Sequence, residues 1–593
     1  MEFPRNLTMA QAFFLPLRLT PFHAGLRLVH RIIGAFKTFA TVMITAACIN
    51  TALAVRGKTA PYQSLFPPRG GLVLLLLWDH VVGPLVGLSN TRQSIKLRLL
   101  FREPFIEKRV RLDYRYVETP QVWDMVSRTW GSPEDKIMEF WNAVLELANL
   151  LISAGSVFVV LAAQVWWAAL ISVAVTIPLL YLAVQSGKKQ YDAEKEVSRY
   201  TRKNQFLSRI LTSREAALER KLFGFSAGIN KDFRKEFDTA RKYLFKVEAR
   251  RFVLIKSVGL AGAAVSSFAL FMLIPPVLAG TLSIGLFISL TGALFNMINN
   301  LSWSLPWQLS QLSRFREYIK DVNGFFALDE VKDAEALPAE TPPDFESLEF
   351  RDVSFAYPGT EKKVLDGLSL KIEKGKRYSF VGKNGAGKTT IAKLMTRLYS
   401  GYEGEILLNG RDIKTWGMGE IKAAFCAVFQ DFAKYQISLG DNIGLGKIRG
   451  ADEEEIKRAA DTIGLSEAAA KLPGGFKTNL GKIKDDGVDL SGGEWQRAAM
   501  ARGVISPAPL KILDEPTAAL DPIGESRLYE KFEEISRGFT TIFISHRLGS
   551  TKLADTIFVL DGGKIVESGS HSELMAQAGL YAEMFESQRE WYV

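Results

Sequence analysis

The run Gly382-Lys383-Asn384-Gly385-Ala386-Gly387-Lys388-Thr389 decides how the second half of this chain folds. It has the spacing G-x-x-x-x-G-K-[ST], follows the strand-forming Tyr378-Ser379-Phe380-Val381 and leads into helix-forming residues from Thr390 to Leu398. In that order the glycines let consecutive backbone N–H groups wrap a phosphate at a helix N-terminus. Lys388 then reaches the β- and γ-phosphates and Thr389 can hold Mg2+.

Working outward, Leu510, Ile512 and Leu513 form a buried-strand pattern that ends in Asp514-Glu515. A carboxylate at the end of such a strand can meet Mg2+, and the next one can act on an attacking water. Between the two lies Leu490-Ser491-Gly492-Gly493-Glu494-Trp495-Gln496-Arg497, whose Ser-Gly-Gly opens an amphipathic helix and so presents a second anion-binding N-terminus. Two phosphate sites too far apart in sequence to be one loop point to a nucleotide gripped by two domains. Alternating strand and helix patterns after residue 345 indicate an α/β domain over 346–593, reached through a Pro- and Glu-bearing linker within 316–345.

The first half has a different solvent. Apolar runs of bilayer length occur near 32–55, 71–88, 141–163, 167–185, 257–279 and 284–305, predicting an all-α transmembrane domain of six spans over residues 1–315. The triplet Ala52-Leu53-Ala54 resembles a signal-peptide cleavage site, but five further spans follow it. Lys and Arg collect before the first span, between the second and third, and from Lys188 to Arg251; the two tight turns at 164–166 and 280–283 carry none. The N-terminus, both long loops and the α/β domain are therefore expected in the cytoplasm. The loops themselves read as helices that prolong the spans, interrupted at Thr119-Pro120 and at Phe223-Gly224-Phe225.

Composition agrees. The 593 residues carry 74 Lys and Arg against 64 Asp and Glu, a net charge of +10 concentrated in loops that flank spans, which is membrane topology rather than a nucleic-acid surface. Cys48 and Cys426, far apart, exclude a disulfide framework and a cysteine zinc site.

With these motifs in this order the chain resembles the ABC transporter superfamily, as an exporter-type half-transporter of six spans fused to one P-loop ATPase domain. The resemblance implies ATP and Mg2+ as cofactors. It assigns the Gly382–Thr389 loop, including Asn384, Gly385, Ala386 and Gly387, and the adjacent Thr390 to the ATP phosphates. Tyr357 matches the aromatic that stacks on adenine, and Ser491, Gly492, Gly493 and Glu494 the signature that meets a partner's γ-phosphate. Asp521 falls in the D-loop. Thr389, Gln430 and Asp514 would hold Mg2+, with Glu515 as general base and His546 as the switch histidine. One copy of each motif requires a second half-transporter, a homodimer being favoured and a heterodimer open. The loop tips resemble those that dock on nucleotide domains. Lys482 stands where many exporters have glutamate.

The wording around the signature is similar to exporters of lantibiotics and related peptides, so an expected cargo is a peptide or amphipathic compound, with a lipid, a drug or an exporter-shaped importer as alternatives. A signature-bearing ATPase of the chromosome or repair type would need long heptads where this chain has spans. Asp79, Glu146, Asn149, Asn296 and Asn299 lie in or near apolar helices, as cavity lining or interhelical hydrogen-bonding groups. Lys37 and Lys256 are expected to snorkel to the interface.

Overall fold

The computed structural model of the chain describes residues 6–166, 203–213, 216–516, 536–545 and 547–589, with a few isolated positions between them. Most of the fourth apolar run, Arg214-Glu215, Asp521 and His546 lie outside the described residues. Two compact units emerge: Met1–Glu107 with Met125–Leu328, and Lys108–Asp124 with Asp329–Val593.

Helices build the first unit. Thr8 and Gln11 form a capping box at the start of Met9–Leu19, Pro21 opens Pro21–Arg56 and Pro133 opens Pro133–Gln164, positions where a missing N–H costs nothing. Among the described residues, Pro21–Arg56, Tyr62–Arg111 and Pro133–Ala163 are long and apolar enough to cross a membrane. The fifth run belongs to the 53-residue helix Ser226–Leu278 and the sixth to the 44-residue helix Ile284–Ala327. At 1.5 Å per residue these are roughly 80 and 65 Å long, more than a hydrocarbon core of about 30 Å could enclose. Residues 316–327, assigned from composition to a linker, are thus the end of a helix.

Pro21–Arg56, Pro133–Gln164 and Ile284–Ala327 pack around Val42, Leu150, Val157, Leu161, Leu290 and Leu294, with a Phe140–Phe315 stack at 4.1 Å further along. Gly285 allows the closest approach: a Cβ there would lie 2.2 Å from the Ala46 carbonyl, while its N–H donates to Asn50 Oδ1 at 2.8 Å. The second apolar run is not a regular helix. It widens into a π-helical turn at Trp78–Val82, which carries Asp79 and His80. Pro84 follows immediately and has no N–H to continue the regular ladder.

The second unit holds two sheets. One is antiparallel, in the order β2 (Lys363–Glu373), β1 (Ser347–Ala356), β4 (Glu403–Leu408), β5 (Arg411–Asp412). The other runs β10 (Lys564–Gly569), β9 (Thr556–Asp561), β3 (Arg377–Gly382), β8 (Thr540–Ile544), β7 (Leu510–Asp514), β6 (Phe425–Val428), parallel except for β10. Its central strands β7 and β8 are buried at every residue, as expected of a sheet covered on both faces. A separate core around Ile443, Ala460, Leu465 and Trp495 seats the helix Gly492–Ile505. The phosphate loop and Asp514-Glu515 both leave the carboxyl ends of strands, β3 and β7, with β8 between them. In a parallel sheet that is the end where ligands bind.

Lys511 is an exception within β7. It is 2% exposed, donates to the Val504 carbonyl at 3.1 Å and lies 3.8 Å over the Phe539 ring, and burial pulls its pKa down to about 8. Because the folded value lies below the unfolded one, the unfolded chain binds more protons between about pH 8 and 10.5, and stability rises with pH there. Lys511→Met is expected to stabilise the detergent-solubilised chain at pH 7 by about 1–2 kcal/mol. In thermal unfolding the mutant's advantage should shrink by pH 9.5; an advantage independent of pH would contradict the assignment.

Candidate functional site

The site begins with backbone that only glycine tolerates. Gly382 has φ +148° and a Cβ there would meet the Leu560 carbonyl at 2.2 Å; at Gly387, φ +102°, it would meet Leu365 at 2.6 Å. Gly385, φ +79°, faces open space instead, leaving its side of the loop clear for a ligand. The loop ends in the helix Lys388–Met395.

Lys388 is 5% exposed and folds over the loop, its Nζ donating to the carbonyls of Gly382 at 2.8 Å and Lys383 at 3.0 Å. Burial lowers its pKa, opposed by Glu515 and Asp514. Thr389 Oγ1 donates to Asp514 Oδ2 at 2.9 Å, tying the loop after β3 to the end of β7. Asp514 is itself 2% exposed. Burial raises its pKa to about 6, with Glu515 adding to the rise while Thr389 and Lys388 work against it. A positive charge placed beside it would lower that pKa again.

Glu515 sits at φ +49°, the left-handed region a non-glycine residue enters only under constraint. Three bonds supply the constraint. Its N–H donates to the Ile544 carbonyl at 2.8 Å, its own carbonyl accepts from Gln496 Nε2 at 3.0 Å, and its Oε2 accepts from Gln430 Nε2 at 2.8 Å. The structure therefore gathers Lys388, Thr389, Asp514, Glu515 and Gln430 at one place. Tyr357 lies beside them, its hydroxyl bonded to Thr390 Oγ1 at 2.9 Å and its ring edge-on to Phe355 at 5.2 Å.

Ser491 caps the helix Gly492–Ile505 in a reciprocal capping box with Glu494. Burial would raise the Glu494 pKa, but the Ser491 hydroxyl and N–H overcome it and hold the carboxyl below its ordinary value. Among the described residues, the Ser491 hydroxyl and N–H bond to Glu494 and its carbonyl accepts from the Trp495 N–H at 2.9 Å, all within its own helix. This end of the helix is exposed at Ser491 and Gly492.

A profile described as "ABC transporter" matches residues 365–518. A solved bacterial Atm1-family ABC exporter with ATP bound superposes with a TM-score of 0.74 at 25% identity, over 95% of this chain and 98% of that one. The chain belongs to the ABC transporter superfamily. It is an exporter: its ATPase domain hydrolyses ATP to drive transport out across a membrane. Along its length the exporter is 28% identical to the subtilin transport ATP-binding protein SpaT of Bacillus subtilis over 562 residues, 94% of this chain and 90% of that protein. It is 40% identical to the ATP-dependent lipid A-core flippase of Pseudomonas aeruginosa over 285 residues, 47% of each chain. To the flippase of Xanthomonas oryzae pv. oryzae it is 27% identical over 86% of each.

In the membrane unit the exporter pairs its polar groups across helices. Glu146 accepts from Arg31 at 2.5 Å, and Asp79 pairs with Lys37. Lys256 lies over its own helix's Phe252 at 5.8 Å. Asn149 Oδ1 is buried without a partner, Asn296 accepts from Asn300 at 3.3 Å, and the Asn299 side chain lies outside the described residues.

Sequence reasoning missed Gln496 as a positioning residue, because only the fold carries its amide to the Glu515 carbonyl. Gln496→Leu is expected to lower kcat about tenfold by releasing Glu515 while leaving KM for ATP within twofold. An unchanged kcat in steady-state ATPase assays would remove Gln496 from the machinery.

Proposed function

We propose that this exporter acts as a homodimer in the bacterial inner membrane, with its N-terminus and nucleotide domain in the cytoplasm, closing two Mg2+-ATP between its chains to export a peptide or similar amphipathic compound. The observation that carries the dimer is the outward signature helix. Among the described residues the bonds of Ser491 stay within its own helix, and an exposed N-terminus opened by Ser491, Gly492 and Gly493 suits a phosphate supplied by a second chain. The second loop supports the same reading: on Ala217–Phe223, Leu218, Leu222 and Phe223 are 82%, 77% and 70% exposed, an apolar tip that needs a protein surface to cover it.

The residues fit Mg2+. Thr389 and Asp514 give hard oxygen donors, and among the described residues no cluster of three His, Cys, Asp or Glu could hold a metal without the nucleotide. When bound, the ion neutralises phosphate charge. The chain does the remaining work: Lys388 and the Lys388–Met395 helix N-terminus bind the phosphates, Gln430 orients the Glu515 carboxylate, and Glu515 takes the proton of the attacking water at Oε2 or its twin.

For the cargo, the signature's likeness to lantibiotic and peptide exporters and the full-length alignment with the subtilin transport protein favour a peptide. The alignment over 86% of the Xanthomonas flippase keeps lipid as a second reading. Inside-out vesicles separate the two by which of a cationic peptide or a lipid A-core accumulates with ATP. ATP-dependent loss of either from the lumen would instead mean import.

Glu515→Gln is expected to cut steady-state hydrolysis on the order of 100-fold or more while ATP stays bound in a dimer. Hydrolysis undiminished in the reconstituted mutant would refute the general base.

A further inference from the structure

The tip of the first cytoplasmic loop belongs to the same compact unit as the nucleotide domain, and it meets that domain beside Tyr357. At its root the loop is clamped to the linker. Lys108, 5% exposed, pairs with Glu330 at 2.7 Å, Arg111 with Glu335 at 2.7 Å, and the Val331 N–H donates to the Arg111 carbonyl at 2.8 Å. Beyond this root, Tyr114 and the single turn Arg115–Glu118 form the tip.

One ammonium joins that tip to the nucleotide side. Lys393, in the last turn of the phosphate-loop helix, donates to Glu118 Oε1 at 2.7 Å and lies 5.8 Å over the Tyr114 ring and 5.4 Å over the Tyr357 ring. Tyr399, 3% exposed, donates its hydroxyl to the other Glu118 oxygen. Its ring stands edge-on to Tyr114 and to Tyr357, each at 5.5 Å. Burial would raise the Glu118 pKa, but the bonds from Lys393 and Tyr399 prevail and keep it lowered; Lys393 is raised in turn, burial opposing. The carboxylate and ammonium are therefore both charged at neutral pH.

We propose that Lys393 is a positioning residue for base recognition, holding the Tyr357 ring while Glu118 ties the same ammonium to the first loop, so that binding of a purine base is read by the loop tip of the same chain. This rests on Tyr357 as the residue that stacks on the base. A base laid on Tyr357 competes for the ring that Lys393 now faces and shifts the ammonium toward or away from Glu118. The phosphates alone, held on Lys388 and the loop backbone, exert no such pull. The arrangement makes the first loop sensitive to the base end of ATP, apart from the γ-phosphate end sensed through Gln430 and Glu515.

The test uses the full chain in nanodiscs of phosphatidylethanolamine and phosphatidylglycerol. Lys393→Met should raise KM for Mg2+-ATP about fivefold with kcat within about twofold, and Glu118→Gln should raise it about two- to threefold. Lys393→Arg should restore the parent value, and inhibition by inorganic tripolyphosphate, which has no base, should not move. Hydrogen exchange over residues 112–119 should change on binding the non-hydrolysable imido analogue of ATP in the parent, not with tripolyphosphate, and not in Lys393→Met. Parent-like KM and nucleotide-dependent exchange in Lys393→Met overturn the proposal, as does an equal loss of tripolyphosphate inhibition. Tyr357→Ala separates the two levels: an unchanged KM there overturns the stacking role itself, whereas a raised KM with a silent Lys393→Met overturns only the relay.

Discussion

A carboxylate kept out of water organises this molecule. Asp514 lies at the end of a fully buried strand, held by the Thr389 hydroxyl and short of the solvation a charge needs. A positive charge beside it would supply the compensation that burial denies it. Burial there follows from packing β7 between β8 and β6 in a parallel sheet covered on both faces. Nothing nearer the surface would give the same demand for ligand. The Gln430, Gln496 and Ile544 bonds that hold Glu515 in its left-handed conformation place a second carboxylate one residue away, at a cost in backbone strain that the surrounding sheet tolerates.

That Thr389 and Asp514 come together could be expected from sequence because the determinants are local. Gly382 and Gly387 occupy backbone no other residue adopts in place, and Lys388, Thr389, Asp514 and Ser491 stand at ends of elements whose polarity fixes what they can bind. The long apolar helices of the first unit were legible for a similar reason, as length and hydropathy alone decide them. What escaped are pairings between distant residues. Whether Asp79 faces a cavity or Lys37, and Glu146 a cavity or Arg31, depends on the rotation of one helix against another. The linker expected over 316–345 begins later, because Val322 and Phe325 are buried on a helix that runs to Ala327. The π-helical turn at Trp78–Val82 follows from Pro84, a cause visible only once the surrounding helix is known.

The same limit applied to Lys393. On the phosphate-loop helix it is an unremarkable exposed-face lysine until Glu118, 275 residues away, is brought to its ammonium. Once that contact is known, the two ends of ATP have separate routes into the protein: the γ-phosphate through the residues around Glu515, the base through Tyr357 and the first loop. An exporter must respond to a whole nucleotide rather than to phosphate alone, and separating the two ends gives it a means to do so.

The central claim is that each nucleotide is enclosed by the phosphate loop of one chain and the signature of another. Crosslinking tests it most directly, in a chain freed of Cys48 and Cys426, with one set of molecules carrying Asn384→Cys and another Ser491→Cys. With ATP and Glu515→Gln in both, oxidation of the mixture should give a covalent dimer that neither set forms alone, and none without nucleotide. If instead a chain carrying both cysteines closes the bond within itself and the mixture yields no dimer, the two-chain enclosure is wrong.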